Sequence, residues 1–165
     1  MGGLGIYRLA VGFGSVWVVD AERGQVLRVD AREHRRVARL SLGVSDVVVG
    51  ERVVWAVGET SVARIDPATS AVVGRTAVGP LRVVAAAAGE GSLWVAAWPP
   101  APAAHPFGGA LLRIEERAGG LLGAAVLPGL PAEALVGGAG AVCAGDDRSH
   151  LLHRLDLDDL REVAG

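Results

Sequence analysis

Gly14-Ser15-Val16-Trp17-Val18-Val19-Asp20 is the stretch on which the fold turns, because the chain repeats it. It returns as Arg52-Val53-Val54-Trp55-Ala56-Val57-Gly58 and as Gly91-Ser92-Leu93-Trp94-Val95-Ala96-Ala97. A fainter fourth copy, Gly140-Ala141-Val142-Cys143-Ala144-Gly145, has Cys in the Trp position. The first two steps are close to 40 residues and the last is longer. Each copy is a short run of β-branched and aliphatic residues entered from a turn-prone segment, which is the composition of a strand.

Further elements repeat in register with the first. Val26-Leu27-Arg28-Val29-Asp30 matches Val62-Ala63-Arg64-Ile65-Asp66, Leu111-Leu112-Arg113-Ile114-Glu115 and Leu152-His153-Arg154-Leu155-Asp156. Val37 to Gly43 matches Val72 to Gly79. Each unit therefore reads as four short strands, in the second unit Asp46–Val49, Val53–Val57, Ser61–Asp66 and Ala71–Val78. Gly50-Glu51, Gly58-Glu59 and Pro67-Ala68-Thr69-Ser70 are the hairpin separators. The first two strands are almost wholly apolar and are expected to be covered on both faces. The third and fourth alternate, so burial is expected to fall outward across each sheet. In the third unit Pro99 to Gly109 holds half of the chain's eight prolines and reads as an extended, exposed surface loop.

Composition agrees. Hydrophobic residues make up 51% of the 165 positions, and the 24 glycines are spread along the chain, as many short strands with tight turns require. The net charge of −2 builds no basic surface, so neither nucleic acid nor a membrane is an expected partner. Arg32, His34, Arg35 and Arg36, interrupted by Glu33, read as a solvated loop. Cys143 is the single cysteine, which excludes an internal disulfide. Met1 to Gly5 lacks the basic and apolar regions of a signal peptide, and no apolar run is long enough to span a bilayer, so the compartment defaults to the cytoplasm.

A period near 40 with four strands per unit is a β-propeller pattern. Arg64-Ile65-Asp66-Pro67-Ala68-Thr69, then Val72-Val73, Thr76-Ala77-Val78-Gly79-Pro80 and Gly91-Ser92-Leu93-Trp94-Val95-Ala96, resembles the YVTN-type repeat. It is similar to the branch related to streptogramin (virginiamycin B) lyase-like and NHL-like propellers. The expected fold is all-β: one propeller segment, 1–165, with blades near 5–43, 44–79, 80–128 and 129–165. The resemblance implies rings of six to eight blades, so about four antiparallel blades make an incomplete ring. Missing blades or a second copy (a homodimer) would complete it, with Ile6–Val11 as an inner first strand and Leu160–Ala164 as an outer last one.

Candidate sites divide by whether they repeat. Trp17, Trp55 and Trp94 recur once per unit and are expected between blades rather than around a ligand. The four Arg/acid pairs recur too and read as structural. Trp98 lies outside the pattern beside the proline loop, and with His105 and Phe107 it forms the candidate binding set for a small molecule or protein. His150 and His153, with Asp146 and Asp147, are the one potential metal cluster, but positions 150 and 153 face opposite sides of a strand, so no metal and no cofactor is expected. The lyase-like enzymes use histidines, a carboxylate and a divalent ion, and no residue here matches that set. The functional expectation is a non-catalytic binding or scaffold module, with a divalent-metal-dependent propeller enzyme as the alternative.

Overall fold

The computed structural model describes residues 6–99, 109–127, 132–146 and 151–156. These residues form fifteen strands and no helix, arranged as four antiparallel sheets in chain order. The first sheet is β1 (Ile6–Gly12), β2 (Ser15–Asp20), β3 (Gln25–Asp30) and β4 (Arg36–Ser41). The second is β5 (Asp46–Val49), β6 (Val54–Val57), β7 (Ser61–Ile65) and β8 (Val72–Ala77). The third is β9 (Arg82–Gly89), β10 (Ser92–Trp98), β11 (Gly109–Glu115) and β12 (Leu121–Leu127). The fourth is β13 (Ala132–Gly138), β14 (Ala141–Asp146) and β15 (Leu151–Asp156). The strand expected at Leu160–Ala164 lies outside the described residues, as does most of the proline loop.

The repeat seen in the sequence is the physical register. Trp17 pairs with Arg28, Trp55 with Arg64, Trp94 with Arg113 and Cys143 with Arg154. The turn between the first two strands of a sheet is Phe13-Gly14, Glu90-Gly91 or Ala139-Gly140, with φ of 53° and 66°, 54° and 66°, and 53° and 71°. Positive φ at both residues is the hairpin turn whose twist matches the strands, and it favours glycine. In the second sheet Glu51-Arg52 takes this place without a glycine.

The turn between the third and fourth strands is also one device used three times. Asp30 Oδ1 accepts from the N–H groups of Arg32 and Glu33, both at 2.8 Å, and Asp66 Oδ1 accepts from Ala68 at 2.7 Å. Glu115 Oε2 accepts from Ala118 at 3.2 Å. Four residues after each acid the chain turns left-handed, at His34, Ser70 and Gly119. The acids of the first three Arg/acid pairs are thus turn caps, in which a carboxylate satisfies amides the ladder leaves open.

Burial departs from the expected outward decline. In the second sheet the third strand is nearly as covered as the second: Val62, Ala63, Arg64 and Ile65 of β7 are all buried, while β8 is exposed or half-buried and β5 only partly covered; in the first and third sheets burial peaks at the second strand and falls at the third. The middle strands pack on sheets to either side, whereas the inner and outer strands each have an open margin.

The core consists of three clusters, each between consecutive sheets. Trp17, Val19 and Val26 pack on Val44, Val47, Val54, Ala56, Ala63 and Ile65. Trp55, Val57 and Val62 pack on Leu93, Val95, Leu112 and Ile114. Trp94, Ala96 and Leu111 pack on Val142, Ala144 and Leu155. The three tryptophans are fully buried, each plugging the gap to the next sheet. Among the described residues no core cluster joins the fourth sheet to the first.

Candidate functional site

Inner strands β1, β5 and β9 begin at the end of the arc where β6 and β10 finish. Trp98 is the last residue of β10, opposite Arg82 at the start of β9, and is half-buried. Arg82 Nε lies 2.6 Å from Glu59 Oε1, and the Glu59 carbonyl accepts from the N–H of Val83 at 2.7 Å. Glu59 belongs to the turn between β6 and β7, so the second sheet reaches across to the edge on which Trp98 sits. Both partners of this ion pair are largely exposed, which makes it weak as a stabilising contact and open to exchange for a ligand charge.

A second pair lies on the inner strands at the same end. Arg8 Nε of β1 is 3.8 Å from Asp46 Oδ2 of β5. Burial pushes the Asp46 carboxyl above the usual aspartate range, against the opposing pull of the Val47 N–H and of Arg8. This end therefore carries a half-buried tryptophan, two cations and two carboxylates. Such a surface can recognise a peptide or a small polar molecule by stacking and charge pairing.

Of the residues expected from sequence, Trp98 is placed at this end. His105 and Phe107 lie outside the described residues. Glu59, Arg82, Arg8 and Asp46 were missed. The one sequence signal for them was departure from the repeat, since Asp46 stands where the other units have Arg8, Ala85 and Ala134.

The remaining candidates have structural surroundings. Arg28 Nε donates to Ser15 Oγ at 2.8 Å, and Arg28 also donates to Ser70 Oγ of the next sheet at 3.0 Å. Arg113 Nε donates to Ser92 Oγ at 3.1 Å. Both guanidinium groups lie over tryptophan rings, at 5.2 Å from Trp17 and 5.1 Å from Trp94. Arg64 is buried and donates to the carbonyls of Glu116, at 3.3 Å, and of Arg117. The basic cluster lies in and beside the exposed β3–β4 turn, where Arg35 pairs with Glu33. His153 lies on β15 opposite Ala144; His150 and Asp147 lie outside the described residues. Among the described residues no three His, Cys, Asp or Glu side chains converge as a metal site would require.

No family model matches the chain, and no curated protein matches it. Solved structures do. The quinohemoprotein alcohol dehydrogenase from Comamonas testosteroni is 13% identical with a TM-score of 0.73, over 97% of this chain and 34% of that one. The Pan2 WD40 domain of Neurospora crassa is 12% identical with a TM-score of 0.71, over 93% and 50%. The Kuenenia stuttgartiensis hydrazine synthase is 13% identical with a TM-score of 0.67, over 97% and 56%. The chain thus spans between about a third and just over half of the chains it resembles. At these identities the likeness shows the fold alone, and it is that of β-propellers: the four sheets are consecutive blades of an incomplete one.

Proposed function

We propose that this chain is a non-catalytic propeller segment of the YVTN type that binds a peptide or small polar ligand at the end carrying Trp98, Arg82 and Glu59. The observation that carries the reading is the division of labour among the charged residues. In the first three blades the repeated acids are spent on turn caps, and the repeated arginines on contacts within and between blades. The exposed Arg82–Glu59 pair beside an indole is the combination free of that periodic duty.

A displayed peptide library panned on the chain tests this. Binders are expected to lose roughly tenfold or more in affinity on Trp98→Ala, a loss of about 1.4 kcal/mol, while Arg82→Ala weakens acidic ligands selectively. Binders indifferent to both substitutions, or no binders, would remove the reading. The enzyme alternative is checked with cyclic esters and lactones in the presence of magnesium or manganese. No turnover is expected, and turnover abolished by His153→Ala would replace the binding reading with the lyase-like one.

A further inference from the structure

Among the described residues β4, β8 and β12 are the outer edges of four-stranded sheets. An edge turns every second backbone N–H and C=O outward, which makes it a template for a further strand, and charged side chains are the usual guard against that. Arg39 of β4 stands opposite Leu27, Arg75 of β8 opposite Ala63, and Ala124 of β12 opposite Leu112. These are one position of the repeat. Both arginines are exposed there, and so is Ala124. β4 carries a further cation, Arg36, whereas β12 carries no charge at all.

The unguarded edge also exposes the most aliphatic surface. Leu121 is 58%, Leu122 56% and Val126 67% exposed, against 40% for Val37 on β4 and 50% for Val73 on β8. Ala125 packs inward on the core around Trp94, so the strand is seated in its sheet while Ala124 and Val126 stay open. The bulge in the pairing of the third and fourth strands does not set β12 apart. It falls at the same place in all three sheets, between Arg28 and Val29, Arg64 and Ile65, and Arg113 and Ile114. What β12 lacks is the arginine.

We propose that β12 is a self-pairing edge: two copies of the chain lay their β12 strands antiparallel across a two-fold axis at Ala124, joining their third blades into one continuous sheet. The occupant follows from the order of residues along the strand. A two-fold contact needs a self-complementary surface. About Ala124 the strand matches itself, Gly123 with Ala125 and Leu122 with Val126, so the pair sets small against small and aliphatic against aliphatic. It sets no charge against its like. A pair centred on Arg39 or Arg75 would bring two guanidinium groups face to face. A strand of another protein would place no demand on the order of residues in β12, whereas the two-fold axis does, and the order meets it. The contact lies on the outer rim and leaves the blade flanks untouched. Each copy spends its edge on the other, so the pair closes instead of propagating.

In sedimentation equilibrium the mean mass of the full chain is expected to rise with concentration from 16.8 kDa toward twice that value. The rise should fall between about 10 μM and 1 mM, because a contact one strand long is smaller than the about 1,600 Å² of a standard interface and binds weakly. Ala124→Arg installs the residue that the first two blades carry at this position, so the fold accommodates it. It is expected to weaken association roughly fivefold or more by setting two like charges across the axis. Ala124→Glu is expected to do the same. An equimolar mixture of the two variants is expected to associate at least as tightly as wild type, since each guanidinium then faces a carboxylate. A wild-type chain that stays monomeric throughout would overturn the proposal and leave the edge to a strand of another protein. So would association that neither charge weakens, or a mixture no tighter than the separate variants.

Discussion

The seam between the first and second blades and the seam between the second and third share one apolar plan and differ at their polar rims. At the first, Ser15 holds Nε of Arg28, and that anchor lays the guanidinium over Trp17. Trp17 in turn donates its indole N–H to the Gly12 carbonyl at 3.4 Å. At the second, Val53 stands where Ser15 does. Among the described residues Nε of Arg64 has no partner there, nor has the Trp55 indole N–H, and the guanidinium reaches into the third blade. Gly74 makes room for it, since a Cβ there would collide with Arg64. The third blade answers with Glu116, buried, whose carboxylate accepts from the N–H groups of Arg52 at 2.9 Å and Val53 at 3.2 Å. The β5–β6 hairpin, with no glycine at its two central residues, is thus held by a carboxylate of the next blade. Where the first seam has Ser15 the second has Val53, and its arginine contacts carbonyls of the third blade rather than a hydroxyl of its own.

The largest effects test whether the apolar plan is common to the seams. Trp17→Ala, Trp55→Ala and Trp94→Ala are each expected to cost about 3–5 kcal/mol in urea unfolding, enough to unfold a marginal domain. The gentler Phe substitutions separate the seams. Trp17→Phe loses a hydrogen bond and a better cation–π face, whereas Trp55→Phe removes an N–H that has no acceptor. Trp17→Phe is expected to be the more costly by about 1 kcal/mol. Equal costs would show that the polar rims contribute nothing.

Next in size is the clamp. Glu116→Ala strands two backbone donors and is expected to cost about 1–3 kcal/mol, while Glu116→Gln keeps one acceptor oxygen and costs less. Gly50→Ala, whose Cβ would collide with the Glu116 carboxylate, is expected to destabilise the wild type but to be nearly silent beside Glu116→Ala. Additive effects of these two changes would mean that Glu116 does not fill that space.

What the sequence made legible follows the same division. Trp17, Trp55 and Trp94 were readable as inter-blade plugs because packing demands them once per period. The bounds of β5 could be read directly because Gly50 and the preceding run mark them. The clamp was not readable: Glu116 lies one residue past the repeated acid Glu115 and acts on residues some 60 positions earlier in the chain, and no local pattern reports a contact at that separation. The third strand was read as alternating because Arg64 looks like a surface residue. Its burial depends on carbonyl acceptors supplied by another blade. At the candidate site only Trp98 stood out, since Glu59 and Arg82 are unremarkable until the β6–β7 turn and the start of β9 are brought together.

Smaller still is the effect of restoring the missing hydroxyl. Val53→Ser gives Arg64 the anchor that Arg28 has and loses part of a half-buried aliphatic contact, so net stability is expected to change by less than about 1 kcal/mol. The informative quantity is the coupling between positions 55 and 64, measured by a cycle of Trp55→Phe and Arg64→Ala. It is expected to rise by about 0.5–1 kcal/mol in the Val53→Ser background as the guanidinium returns to the ring. Unchanged coupling would show that the clamp, not the absent serine, directs Arg64.

The smallest expected effect is a difference of sign in pH dependence between two acids of the first seam. Asp66 caps the turn that Arg28 reaches, and the N–H groups of Ala68 and Thr69 hold its carboxyl below the usual aspartate range. A lowered folded pKa gives stability that is present above the ordinary value of about 3.9 and lost as pH falls through the folded one. Asp46, at the inner end of the same seam, is raised by burial. Its contribution is present below the ordinary value and lost as pH rises through the raised one. In urea melts across the acid range, Asp66→Asn is therefore expected to flatten the acid-side loss of stability. Asp46→Asn is expected to be more favourable relative to wild type near neutral pH than in acid, because the exposed Arg8 contact it gives up is worth little. Parallel pH profiles for the two variants would show that burial does not govern Asp46, and that the seam's inner end is wetter than its geometry implies.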